Sequence, residues 1–153
     1  MSADCAGLVR SALIEELEQL HAGVLEVAHG LAEPELWRKP LEPGNSVGHL
    51  ILHLTGNLNH FVGAQLGKTG YVREREREFT DSAPPARAKL LADFLGAVVT
   101  FRQIVGGLSA EELAAPHPEA RFGTVLKGLI HVVAHFALHR GQMSYIARLV
   151  KAG

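Results

Sequence analysis

Several residue types and patterns are scarce in this chain of 153 residues, and each scarcity argues against a class of structure or function. Cys5 is the one cysteine, so an internal disulfide is impossible, and its terminal position predicts no functional role. The formal net charge is −1, so no basic field is predicted to attract nucleic acid. No apolar run reaches the roughly 18 residues of a membrane span, and the N-terminus does not resemble a signal peptide. We therefore predict a cytoplasmic protein that binds neither nucleic acid nor membrane.

Apolar residues recur at helical spacing along the chain, and no segment alternates like a strand. Four long amphipathic helices are predicted, at about 7–30, 46–67, 84–107 and 124–151. Ser46 is placed to cap the second helix, and "DSAPP" offers a cap and prolines before the third. Short turns are predicted at Pro34 and after Ser109, which fits a capping box with Glu112. The pattern predicts an all-α four-helix bundle with short additional helical turns in the connections.

Two of these helices are short of charge. The helix over about 46–67 contains no Asp, Glu, Lys or Arg, so none of its faces favours open water. It is predicted to be enclosed by its neighbours or to lie partly in a subunit interface. The last helix has no acidic residue from Thr124 onwards. Polar side chains on these two helices are therefore more informative about function than those of an ordinary surface helix.

Histidines dominate the polar residues of the two helices. Each helix carries three histidines along one stripe: His49, His53 and His60 on the second helix, and His131, His135 and His139 on the fourth. Two histidines at i and i+4 can bind one metal ion, and a facing helix can add a third ligand. Spacing alone leaves two interpretations open, a shared ion or imidazoles that only hydrogen-bond within the core. His21, His29 and His117 are interpreted as structural.

Two segments resemble the DinB-like superfamily of bacterial four-helix proteins, also called YfiT-like. "HFALHRGQMSYIARL", residues 135–149, is similar to its signature His-x-x-x-His-Arg-Gly-Gln before an apolar helix end. "SVGHLILHL", residues 46–54, resembles its motif of a helix-opening Ser with a His seven positions later. The resemblance implies one DinB-like domain over residues 1–153 and frequent homodimers. It also implies a divalent metal ion, zinc or nickel, with three ligands: His53, His135 and His139.

One uncharacterised branch of the superfamily is closer in its motifs. It carries Trp-x-x-Pro, Asn-Ser, His-Leu-x-Gly-Asn-Leu, and an alternating run of Arg and acidic residues that ends in Glu-Phe. The matching stretches here are residues 37–40, 45–46, 53–58 and 73–79. The branch implies no substrate, so the small-molecule substrate stays unidentified.

The superfamily includes thiol-dependent enzymes, which makes a thiol-dependent S-transferase the first functional hypothesis. Three neutral imidazoles leave an ion's +2 charge uncompensated, so a bound thiol becomes a thiolate and bound water reaches a pKa of about 7. A low-molecular-weight thiol would then be a second cofactor. The alternatives are a non-catalytic metal-binding or stress-associated bundle, a metal-activated hydrolase, and an interaction module whose histidines are structural.

The sequence leaves the surroundings of the three histidines open. Asn57 lies one turn after His53 and is the candidate catalytic residue on the open side of the ion, or else it bonds a neighbouring helix. A shifted triad is the other open point, in which His49 or His131 replaces His53 or His139. The resemblance favours the unshifted set.

Ligand histidines usually donate their second N–H to a carboxylate or a carbonyl, and neither histidine-bearing helix has a carboxylate. "REREREF", residues 73–79, is either a solvated, self-paired charge run or a binding element for an anionic substrate. Arg140 and Gln142 either serve the site or only tie the last helix to its neighbours. The carboxylates within reach come from the first helix or from the charge run: Glu15, Glu18, Glu26, Glu74, Glu76 and Glu78.

Overall fold

The computed structural model describes residues 5–80 and 83–153. Within these residues seven α-helices follow one another: α1 (Cys5–His29), α2 (Glu33–Leu36), α3 (Val47–Leu58), α4 (Arg77–Thr80), α5 (Arg87–Gly107), α6 (Ala110–Ala114) and α7 (Val125–Ala152). A π-helical turn, Asn59–Ala64, continues α3, and a 3-10 turn, Ala120–Phe122, precedes α7. The described part of the chain contains no strand. The predicted all-α bundle with short helical turns in its connections is confirmed.

The four long helices α1, α3, α5 and α7 share one hydrophobic core. Helices α1 and α3 each pack against both α5 and α7. Phe94 of α5 stacks on Phe136 of α7 with 5.5 Å between ring centroids, and both rings are fully buried. Burying one such side chain contributes about 1.5–3 kcal/mol. This ring pair therefore helps to hold α7 against α5.

Helix boundaries follow local capping chemistry. Ser46 Oγ accepts a hydrogen bond from the backbone N–H of His49 at 3.1 Å, as predicted for the cap of α3. Ser109 and Glu112 form the predicted capping box before α6. Helix α5 begins after the two prolines, and the cap predicted in residues 81–82 lies outside the described residues.

The charge-free segment is enclosed by its neighbours, because ten of the twelve residues of α3 are buried. The prediction of one α-helix over 46–67 is nevertheless wrong in its last part. The chain widens into the π-helical turn, where the N–H of Gln65 donates to the carbonyl of His60, five residues earlier. A π-turn differs from an α-turn in hydrogen-bond register rather than in residue type, so the apolar pattern does not reveal it.

Helix α5 is long and apolar enough to cross a membrane by length and composition. Five of its large apolar side chains are buried against the neighbouring helices: Leu90, Phe94, Val98, Phe101 and Val105. A core helix of a globular bundle passes the same length and composition test. The cytoplasmic location stays a prediction.

The connection between the π-turn and α5 folds back onto α3. It changes direction at Lys68 and Gly70, where φ is 54° and 79°, and then forms the short helix α4, which packs on α3. Glu78 is buried there, whereas the other acidic residues of the charge run are exposed. The connection therefore delivers one carboxylate to the inside of the bundle.

Candidate metal centre

Three histidines from α3 and α7 meet between the two helices. His53 Nε2 lies 2.9 Å from His135 Nε2, and the ring centroid of His139 lies 4.9 Å from that of His53 and 4.3 Å from that of His135. One ligand atom from each ring lies within 4.8 Å of the others. Across residues 5–80 and 83–153, no other three His, Cys, Asp or Glu side chains converge in this way. The structure thus brings together the three residues that the resemblance implies.

Hydrogen bonds fix the orientation of two of these rings. His53 Nδ1 donates to Glu78 Oε2 at 2.8 Å, and His139 Nδ1 donates to Gln142 Oε1 at 2.7 Å. Carboxylate and amide oxygens accept hydrogen bonds and have no proton to donate. Each Nδ1 therefore carries the proton, and Nε2 of the same ring keeps its lone pair. His139 Nε2 is buried and has no hydrogen-bond partner. The donor set therefore fits a cation that is bound through Nε2 atoms.

The electrostatics of the centre favour neutral rings. Burial, together with the neighbouring imidazoles and the Arg73 guanidinium, lowers the pKa of His135 to about 4. Burial also lowers the pKa of His139, which the hydrogen bond to Gln142 partly offsets. Both rings are therefore uncharged at neutral pH, which is the protonation state that a metal ligand needs.

A buried ion pair supports His53 from behind. Arg73 donates from Nε to Glu78 Oε1 at 2.7 Å and from Nη2 to Glu78 Oε2 at 2.8 Å, and the two side chains are only 10% and 8% exposed. Burial raises the pKa of Glu78, but hydrogen bonds from His53 and Arg73 and the charge of Arg73 bring it below its ordinary value. Glu78 is therefore an ionised carboxylate that is neutralised by Arg73.

Gly56 provides the space that the Glu78 carboxylate occupies. A Cβ at this position would lie 2.1 Å from Glu78 Oε1 and 2.9 Å from its Cδ. Gly56 is the glycine of the His-Leu-x-Gly-Asn-Leu stretch, so this stretch contains both the candidate ligand His53 and the glycine that makes room for its carboxylate partner. Sequence reasoning missed this role, although a glycine inside a helix costs about 1 kcal/mol relative to Ala and usually has a packing reason.

The charge run divides into two parts with different roles. Arg77 and Glu74 form an exposed pair at 2.7 Å, as predicted for a solvated, self-paired run. Arg73 and Glu78 form the buried pair described above, so Arg73 is already engaged by a carboxylate of its own segment. The two interpretations of the run as a whole did not include this ion pair, although Glu78 is one of the six carboxylates predicted to be within reach of a ligand histidine. The six candidate carboxylates reduce to Glu78, because it alone contacts one of the three histidines.

The shifted triad does not form. His49 Nδ1 lies 2.6 Å from Ser46 Oγ, and its ring meets the edge of Trp37 with 5.4 Å between centroids. His131 is exposed and stacks on His135 with 6.2 Å between centroids. Both lie beside the three-histidine cluster without joining it.

The remaining histidines have surroundings of their own. His60 Nε2 lies 3.3 Å from Gln65 Nε2 within the π-turn. His21 packs its ring against Phe94 in the core, with 4.9 Å between centroids. His117 Nδ1 accepts a hydrogen bond from the backbone N–H of Glu119 at 2.9 Å, and His29 is exposed.

Three further candidates have distinct outcomes. Asn57 is buried and makes no side-chain hydrogen bond to the described part of the chain, so its catalytic role stays a prediction. Gln142 orients His139, which goes beyond tying helices together. The Arg140 guanidinium packs over Gly23 of α1, where a Cβ would lie 2.8 Å from Arg140 Nε, and its role stays a prediction.

Comparisons with known proteins agree with this architecture. Residues 12–151 match the family model described as mycothiol-S-transferase. No curated protein matches the chain. The crystal structure of a conserved protein from Enterococcus faecalis is similar, with a TM-score of 0.78 and 16% identity over 94% of this chain and 97% of that one. At that identity the likeness shows the fold alone. The family match covers most of the chain, so the chain belongs to the mycothiol-S-transferase family of the DinB-like superfamily.

Proposed function

We propose that this chain is a divalent-metal-dependent S-transferase that uses a small thiol as co-substrate. The observation that carries the proposal is the convergence of His53, His135 and His139, two of them held in the tautomer that leaves Nε2 free. The family match supports the thiol part of the proposal. Imidazole nitrogens suit zinc and nickel, which makes these the ions to test first.

The number of available ligands favours catalysis over a purely structural ion. Structural zinc sites have four protein ligands, whereas catalytic sites have three and an open position. No fourth His, Cys, Asp or Glu from the described residues joins the cluster. Glu78 cannot serve, because its oxygens are bonded to Arg73 and to the far nitrogen of His53. The arrangement therefore supports an open coordination position for thiol or substrate.

The reaction that fits the site is the transfer of a thiol sulfur to an electrophilic carbon. An ion held by His53, His135 and His139 would lower the pKa of the thiol, so that the sulfur would react as a thiolate at neutral pH. The S–C bond forms while the bond from carbon to its leaving group breaks, and the leaving group departs with the electron pair. The thiol proton passes to solvent. The chain's part is to hold the three rings in place and, at Asn57, to offer a buried amide near the ligand His53.

The first experiment measures the metal content of protein purified without a histidine tag or added metal. We expect about one equivalent of zinc or nickel in the parent and none in His53→Ala, whereas His21→Ala, the control, keeps its metal. The loaded protein is then assayed for consumption of mycothiol and other small thiols in the presence of a chromogenic electrophile. Protein that binds no ion after incubation with several divalent metals would make the histidines structural. An ion without any thiol consumption would favour the non-catalytic bundle.

A further inference from the structure

We infer that Arg73 and Glu78 are positioning residues through which docking of the α3–α5 connection and metal binding at His53 control each other. The inference rests on the proposed metal site and is independent of the reaction that the site performs. It assigns a function to the charge run over residues 73–79 that neither a surface run nor a substrate-binding element would have.

Among its described residues, the connection bonds to and packs on one histidine of the candidate centre, His53. Helix α4 has four residues, which is too short to be stable without tertiary contacts. Two of its side chains meet His53: Glu78 bonds Nδ1 at 2.8 Å, and Phe79 packs on the ring with 5.0 Å between centroids. Both contacts of α4 with the centre therefore depend on one histidine, and the orientation of that histidine depends on α4.

Arg73 makes this docking electrostatically favourable. A buried carboxylate without a partner is strongly destabilising, so removing one member of a buried pair costs far more than removing an exposed one. The Arg73 fork occupies both oxygens of Glu78 and leaves Oε2 able to accept from His53. Lysine cannot reproduce this fork, because an ammonium is a point charge on a flexible stem.

The three histidines are supported unequally. His53 donates a hydrogen bond to the charged Glu78 carboxylate, which also accepts two hydrogen bonds from Arg73. His139 donates to the neutral amide of Gln142. Among the described residues, no carboxylate or amide hydrogen-bonds to His135, and its contacts are with the other rings. His135 and His139 share the rigid frame of α7. His53 is thus the ligand whose position is set by a segment outside its own helix.

Docking of the connection and metal binding must affect each other equally, and this can be tested. If the docked connection raises metal affinity by some factor, the metal must favour docking by the same factor. Partners behind a metal ligand typically contribute about 10–100-fold in affinity. Metal binding should therefore slow amide exchange in α4, where the N–H groups of Arg77, Glu78 and Phe79 donate to backbone carbonyls three residues earlier.

The affinity experiment compares variants on the same short segment. Zinc affinity is measured by competition with a chromophoric chelator, and the coordination geometry by the visible spectrum of the Co²⁺-loaded protein. Glu78→Ala is expected to bind zinc about 10–100-fold more weakly and to change the Co²⁺ spectrum. Glu78→Gln should recover part of the loss, because its amide oxygen still accepts from His53. Arg77→Met removes the exposed pair and is the matched control with parent affinity and spectrum.

The exchange experiment needs no variant. Hydrogen exchange of the parent is followed with and without zinc, and residues 73–80 should exchange more slowly with zinc while α6, which does not contact the histidines, stays unchanged. Equal zinc affinity in Glu78→Ala and Arg77→Met, or no protection of residues 73–80, would overturn the inference. A parent that binds no metal at all would instead overturn the proposed function, so the two failures are distinguishable.

Discussion

Replacing Gly56 with alanine tests the packing on which the support of His53 depends. The added Cβ would lie 2.1 Å from Glu78 Oε1, and ordinary van der Waals contact begins at 3.4 Å, so the carboxylate must move by about 1.3 Å. A shift of that size takes Glu78 Oε2 out of hydrogen-bond reach of His53 Nδ1. Losing a hydrogen bond to a charged group costs about 1.5–3 kcal/mol. The intrinsic preference of a helix for Ala over Gly returns about 1 kcal/mol.

The net expectation is that Gly56→Ala destabilises the metal-free protein by about 0.5–2 kcal/mol. In a domain of this size that lowers the melting temperature by about 1–8 °C. Gly96→Ala is the matched control, because this glycine also lies inside a long helix and a Cβ there meets nothing within 4 Å. It should stabilise the protein by about 0.5–1 kcal/mol.

The assay is thermal unfolding followed by circular dichroism, with chelator present, for the parent and both variants. The two glycine variants should shift the melting temperature in opposite directions. Gly56→Ala should also weaken zinc binding, since His53 loses its partner. If Gly56→Ala raises the melting temperature as Gly96→Ala does and keeps the parent's zinc affinity, the carboxylate is not held as described and the reasoning fails.

Three further outcomes are expected. His135→Ala and His139→Ala should each lose the metal in elemental analysis while His21→Ala keeps it, and equal losses in all three would break the site assignment. The pKa of His135 is lowered to about 4 from 6.5 in the unfolded chain, so the unfolded state binds the extra proton between these values. The contribution of His135 to metal-free stability should then be constant above pH 6.5 and fall by about 1–2 kcal/mol toward pH 4, a figure discounted because the residue is only partly buried. Urea unfolding of the parent and of His135→Ala at several pH values would measure it. The homodimer is tested by light scattering; Ala134→Glu, on the exposed side of α7 beside Ile130, should yield monomers, and an unchanged mass would place the interface elsewhere or show that there is none.

Local patterns account for what could be predicted from the sequence. Helical periodicity and the caps at Ser46 and Ser109 are encoded within a few residues, so the long helices and several of their boundaries follow directly. His135 and His139 are neighbours on one helix, and their proximity follows from a spacing of four. The choice of His53 as their partner required the family resemblance, because spacing does not say which faces of two helices meet.

The roles of Glu78 and Gly56 could not be predicted, because local spacing does not say which distant segments meet. Glu78 was one of six carboxylates within reach, and only the path of the connection around Lys68 and Gly70 brings it to His53. A glycine inside a helix, such as Gly56, indicates a close packing contact, but the contacting side chain, Glu78, lies 22 positions further along the chain. Such contacts arise from tertiary packing, which no window of neighbouring residues encodes.

The close approach of Glu78 to Gly56 also gives a rule for comparing relatives of this chain. Because any side chain at position 56 would meet the carboxylate, the two positions should vary together as one character. A homologue with an acidic residue at position 78 must keep glycine at position 56. A homologue with a larger residue at position 56 must orient its equivalent of His53 by other means. An alignment of the family sorted by this pair would divide its members by the way in which they hold that histidine.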